Sequence, residues 1–249
     1  MTGIIFPLFF IGVEEPQTKR AFDSVYKQKY GRFDPVIHKI NVSPQSKAMN
    51  EINNEAVQRN ITEWSLWLSG DMILAESAIA WIDNYMRNID PPNENTIEYT
   101  FGLWDTFLEE IICGCPLRRM DVYSNTIRKN VMRNDFYVRK ELEKQGYEFK
   151  RPCKHAHAIG THFDNPDEFQ VFRRFKARGI KSRKNPKERN NYLKKLKRLR
   201  SKNSDNKLYE QAVSAFLFGF KKASFIGAHD ITIDEIEYQH WKKNEVHDL

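Results

Sequence analysis

The chain has 249 residues, 40% of them apolar, with 17 Phe, 10 Tyr and 5 Trp and a net charge of +7. That content excludes a disordered chain, and the length suits one domain or two small ones around a sizeable core. Three cysteines, an odd number without framework spacing, exclude a disulfide-built secreted scaffold and predict a cytoplasmic or other reducing intracellular compartment.

Met1 to Val13 is apolar but lacks a basic leader and a small-residue cleavage site, so it reads as a buried strand rather than a signal peptide. It is too short to cross a bilayer, and no later window is apolar enough to be a transmembrane segment. From Ser43-Pro44, a cap followed by proline, Met49, Ile52, Ala56, Ile61, Trp64 and Leu68 recur at helical spacing up to Gly70. A second helix is expected from Asp71 to about Arg87 along Leu74, Ala78, Trp81 and Tyr85, and a third along Ile97, Phe101, Trp104, Leu108 and Ile111. Residues 125 to 145 read as a fourth, polar helix ended by Gly146, and Phe149 to Phe163 as a strand or extended loop. Cys113 and Cys115 lack the two-residue spacing of zinc knuckles.

Two helix starts of one form follow, Asn165-Pro166-Asp167-Glu168 and Asn185-Pro186-Lys187-Glu188. A further helix is expected after Ser204 or Asp205, burying Leu208, Ala212, Phe216 and Phe220, and Asp230 to Ile236 suits strand or helix. The fold class expected is mainly α or α+β, a helical bundle with a few short strands and a basic helical C-terminal part. Residues 1–146 form the predominantly helical domain, and 147–249 the basic helical region, which can share that domain.

Residues 171 to 207 hold 16 Lys or Arg against Glu188 and Asp205, a balance of +14 in a chain of +7, so the remainder carries −7. Charge concentrated this way suits a polyanion, because each cation near a phosphate releases condensed counterion. Tyr192, Leu193, Leu196 and Leu199 form one apolar stripe and leave the cations around it. The expected contacts to nucleic acid or another polyanion are Arg173, Arg174, Lys176, Arg178, Lys181, Arg183, Lys184, Lys194, Lys195, Lys197, Arg198 and Arg200. They would bind phosphate without reading bases. A solvated basic face and a membrane-surface helix are the competing readings. Phe169, Phe172 and Phe175, three apart, read as a buried helix face before they read as base-stacking groups.

Cys153 to Asp164 concentrates His155, His157 and His162. On a strand, His155 and His157 would share a face, a geometry that divalent metal sites use. His155-Ala-His157 is similar to the His-apolar-His motif of the replication initiators and relaxases named after it. Tyr192-Leu-Lys-Lys195 is similar to the Tyr-x-x-Lys motif of rolling-circle initiators. The resemblance covers residues 150–196 and implies a divalent metal on His155 and His157, Tyr192 as a nucleophile on a DNA phosphodiester, and Lys195 orienting the phosphate. His162-Phe-Asp164 also has the His-x-Asp form of iron oxygenases, without the strands that should follow it. The plain alternative makes these histidines polar contacts on a turn, with Asp164 or Asn165 capping the next helix.

The leading expectation is a nucleic-acid-binding protein, more a binder than an enzyme, with no cofactor beyond a possible divalent metal. The alternatives are a non-enzymatic assembly or scaffold protein of a large complex such as a viral particle, and a metal-dependent, tyrosine-using DNA nickase.

Overall fold

The opening apolar run forms a strand, β1 (Ile5–Gly12), in the computed structural model of the protein, which describes residues 5–12, 15–129, 134–155, 157–221 and 231–245. The chain divides into two units, the described residues up to Asn165 and those from Pro166 onward. No described helix is long and apolar enough to cross a membrane.

In the first unit β1 is apolar throughout because it is covered on both faces. Phe6, Leu8 and Phe10 join one buried cluster with Ala21 and Val25 of α1 (Thr18–Tyr26). Phe9 and Ile11 join another with Ala48, Met49, Ile52 and Ala56 of α2 (Gln45–Gln58). α1 leads to β2 (Arg32–Ile40) and α2 to β3 (Trp64–Ser69), and β2 and β3 lie parallel to β1 on its two sides. The chain continues through β4 (Met72–Leu74), α3 (Ala78–Asn84), the hairpin β5 (Thr96–Asp105) and β6 (Glu110–Arg119), and α4 (Met120–Tyr123). Then come α5 (Asn134–Lys144), β7 (Glu148–Lys150) and β8 (Ala158–His162). The sheet order is β2-β1-β3-β6-β5-β8-β4, with β7 also on β5.

A mixed, curled eight-stranded sheet overturns the expected helical bundle: this is an α/β fold, about 50% helix and 24% strand. The error lies in the period assigned to apolar residues. Ile97, Phe101 and Trp104 fit a helical stripe, but Ile97, Tyr99, Phe101 and Leu103 fit a strand equally well, and all four are buried. Trp64 to Leu68 closes no helix either. It is a short apolar run of a central strand. α2 and α5 cover only part of the helices expected from Ser43 to Gly70 and over residues 125 to 145, and the extended stretch around β7 and β8 falls within Phe149 to Phe163 apart from the start of β7.

Cys113 and Cys153 form a disulfide, which fits poorly with the reducing compartment that the odd cysteine count predicts. A bulge in β6 makes it possible. Phe101 pairs with Cys115 and Gly102 with Cys113, so Gly114 is bulged out and Cys113 turns to the face opposite the buried Cys115.

The second unit is helical: α6 (Glu168–Ser182), α7 (Pro186–Lys202), α8 (Lys207–Lys221) and α9 (Ile231–Glu245). Asn185 caps α7 as expected, its Oδ1 accepting from the Glu188 N–H, but α6 is capped by Asp167, in a capping box with Gln170. α6 and α8 meet glycine against backbone: a Cβ on Gly179 would lie 2.1 Å from the Phe216 carbonyl oxygen, and one on Gly219 2.1 Å from that of Lys176.

Candidate functional site

The connections from β1 and β2 run to opposite sides of β1, so β1 and β3 flank a topological switch point, where open α/β sheets place a ligand crevice beyond the strand carboxyl ends. β1 ends at Gly12, and β3 runs into Gly70 and Asp71; a Cβ on Gly12 would stand 3.3 Å from the Gly70 nitrogen. Two more strands end nearby. Asp105 of β5 and His162 of β8 are register partners, and His162 also faces Met72 of β4. Three separate strand ends therefore bring together Asp71, Asp105 and His162.

His162 sits between the two carboxylates. Its Nδ1 lies 2.9 Å from Asp105 Oδ2 and its Nε2 3.0 Å from Asp71 Oδ2. Asp105 is wholly buried, and its other oxygen accepts from the Leu108 N–H at 2.8 Å. Ser69 Oγ donates to Asp71 Oδ1. The segment after His162 is held in place: Phe163 N–H donates to the Asp71 carbonyl at 3.0 Å, and buried Gln17 donates to the carbonyls of Asp164 (2.7 Å) and Asn165 (3.0 Å). Phe163 (φ 58°) and Asn165 (φ 52°) adopt left-handed backbone, a conformation that a bulky residue such as phenylalanine holds only where its surroundings enforce it.

With a carboxylate oxygen beside each ring nitrogen of the half-buried His162, the two contacts are matched by a hydrogen on each line. The cluster can accept hydroxyl donors or move a proton at Nε2. Among the described contacts two carboxylates face one imidazole, a balance that disfavours a bare phosphate. Among the described residues no group of three His, Cys, Asp or Glu side chains is arranged to hold a metal ion.

A second polar cluster holds α5 to the sheet. Glu98, wholly buried, receives Arg118 Nε at 3.0 Å, Arg139 Nη2, and the Tyr123 hydroxyl at 2.5 Å. Asp135 receives Arg118 at 3.0 Å and Arg128 at 2.6 Å. Burial raises the Glu98 carboxyl, but Arg118, Arg139 and the Tyr123 hydrogen bond outweigh it and leave the group below its ordinary value.

The residues singled out in the sequence fall elsewhere. His155 closes a 3-10 turn (Pro152–His155) and His157 precedes β8, so the two do not share a strand; Ala156 lies outside the described residues. The His157 ring stacks on Trp81, with centroids 4.7 Å apart. Asp164 pairs with Arg20 at 2.8 Å rather than with His162. Tyr192 belongs to the second unit, stacked on Phe216 and under the Arg178 guanidinium.

Of the expected phosphate contacts, Lys176 is buried against Asp234 and Glu237, Arg173 pairs with Asp234 and Arg178 with Glu188. Arg174 lies over Phe175. Lys181 and Lys195 are half-buried, whereas Arg183, Lys184, Lys194, Lys197, Arg198 and Arg200 are exposed. Phe172 and Phe175 are core, as their spacing predicts.

Asp71 and Asp105 were not among the sequence candidates, and His162 entered only through its His-x-Asp form. The available signal was Ser69-Gly70-Asp71 at the end of a short apolar run, a strand running into a turn. Asp105 carries no local signal, because its pairing with His162 spans 57 residues of chain.

No family model and no curated protein matches the chain. Part of the chain is similar to a solved structure of a glycosyltransferase involved in the glycosylation of the major capsid of PBCV-1, at 13% identity and a TM-score of 0.39, over 64% of this chain and 95% of that one.

Proposed function

We propose that the first unit is an enzyme that binds a hydroxyl-rich, phosphate-bearing ligand of the nucleotide class beyond the ends of β1 and β3, with Asp71, Asp105 and His162 as its working groups. The observation that carries this is His162 held between two carboxylates from other strand ends at a topological switch point. Asp105 orients the ring, His162 and Asp71 exchange a proton or accept ligand hydroxyls, and a divalent cation would accompany any diphosphate, because the cluster is acidic. Nucleoside diphosphates of the four bases, with Mg²⁺ or Mn²⁺, should raise the unfolding temperature; a ligand at a hundred times its Kd adds about 2.7 kcal/mol. Asp71→Asn should remove that response without unfolding the protein. No response from any of the four would overturn the reading.

A second reading concerns α7 and nucleic acid. Leu196 and Leu199 are buried and Tyr192 is stacked on α8, so the apolar stripe is used internally. The exposed face carries Lys187, Lys194, Lys197, Arg198 and Arg200. A helix whose apolar side is covered has nothing to insert into a bilayer, which favours phosphate contacts over membrane binding. Binding to duplex DNA or RNA should weaken steeply with salt, and no binding at about 150 mM salt would sink this reading. Failure of both readings would leave an assembly role.

A further inference from the structure

We infer that Cys113–Cys153 is a reducible clamp on β8, the strand that ends at His162, and so couples the thiol redox state to the candidate site. The functional consequence rests on the switch-point reading above; the clamp itself does not.

The bond ties the 3-10 turn Pro152–His155 to β6 across the intervening β5. The turn lies directly over Gly102 of β5: a Cβ there would come 2.7 Å from the His157 carbonyl oxygen and 3.5 Å from the Cys153 Cα. Gly102 is also where β8 joins the sheet, as the register partner of Ala158. The clamp therefore sits at the entry to the β5–β8 pairing, whose other end is Asp105 with His162. β8 is five residues long, its register on β5 is interrupted, and it carries the three-residue edge strand β4 with Asp71 just before it. Strands this short and close to an edge open locally at low cost, so a covalent tie at their entry decides how often they do.

Cysteine chemistry supports a bond that cycles. Cys113 is exposed, so a reductant reaches one sulfur, whereas Cys115 two residues away is buried and burial pushes its thiol up, which removes it from exchange. The bond stands alone rather than within a disulfide framework, so its reduction leaves no second bond holding the turn to β6. A dithiol of the dithiothreitol or thioredoxin class would attack Cys113 Sγ as thiolate, release Cys153 as thiolate, and close its own disulfide. Two electrons and two protons then reside on Cys113 and Cys153.

The test compares full-length protein purified without reductant, the same protein treated with dithiothreitol, and Cys113→Ser. Free thiols are counted by alkylation and mass spectrometry, and amide hydrogen exchange is followed along the chain. Reduction should speed exchange at Ile159 to His162 by about tenfold or more while β1 and β3 stay protected. It should also weaken the response to nucleoside diphosphates with Mn²⁺ by at least about fivefold. The reductant arm needs no substitution, so a variant that fails to fold does not decide the matter. Unchanged exchange with both thiols freed would overturn the clamp, as would free Cys113 and Cys153 thiols in protein never exposed to reductant. Faster exchange on reduction in protein whose oxidised form binds no nucleotide would support the clamp and sink the switch-point reading alone.

Discussion

Asp105 and His162 are cross-strand partners at the shared end of β5 and β8, with the buried carboxylate 2.9 Å from the imidazole Nδ1. Asp105→Ala would remove the acceptor of the Leu108 N–H and the carboxylate beside the imidazole Nδ1, and should cost about 3 kcal/mol in urea unfolding. Asp71, on the outer side of the imidazole, should behave differently. Asp71→Asn is expected to change stability by less than about 1 kcal/mol and still abolish the nucleotide response. Equal destabilisation by both variants would assign the cluster a structural role only.

The Glu98 network makes the first unit acid-sensitive. Glu98 and Asp135 are held below their ordinary values of 4.5 and 3.8: burial raises both, but Arg118 and the neighbouring arginines outweigh it. A carboxyl depressed on folding adds stability that is complete above the unfolded value and is lost as pH falls through the folded one. Urea midpoints should therefore be flat above about pH 5 and fall progressively below pH 4.5. Glu98→Gln leaves buried Arg118 uncompensated and should cost about 3–5 kcal/mol at pH 7, with a shallower loss below pH 4.5 than the parent shows. A variant as stable as the parent would mean that Arg118 and Arg139 find other partners.

The α6–α8 packing gives the opposite result from helix propensity. Alanine is the better helix former by about 1 kcal/mol, yet a Cβ at Gly179 meets the Phe216 carbonyl and the Phe220 nitrogen. Gly179→Ala should destabilise the second unit by about 1–3 kcal/mol as α6 and α8 are forced apart. Thermal unfolding followed by helix circular dichroism reads this directly, and a stabilised variant would show that the helices separate freely.

These outcomes depend on features of unequal legibility. Helix starts at Asn185-Pro186 and the apolar β1 can be read from neighbouring residues, because caps and covered strands are local. The hairpin β5–β6 was hidden because strands buried on both faces lose their polar alternation, and Trp64 and Leu68 mimic a helical stripe. The Asp71, Asp105 and His162 cluster is assembled from three strand ends, and no spacing rule reaches across them. The disulfide required a bulge at Gly114 that turns Cys113 away from Cys115, a detail of register that a cysteine count does not contain.

The cations of the basic segment divide into those that build the unit and those that face solvent, and the division is measurable. Replacing Lys187, Lys194, Lys197 and Arg198 together by alanine removes exposed charges, so stability should change little. If α7 binds duplex phosphates, affinity should fall and the slope of log K against log salt should become shallower by about 0.9 for each phosphate that α7 no longer neutralises. Lys176→Ala should do the reverse: it removes a buried cation from buried Asp234, which keeps Arg173, and from half-buried Glu237, and so unfolds the unit at lower temperature. The salt slope of folded Lys176→Ala protein should match the parent. A slope unchanged by the α7 variant would locate any polyanion-binding surface elsewhere in the chain.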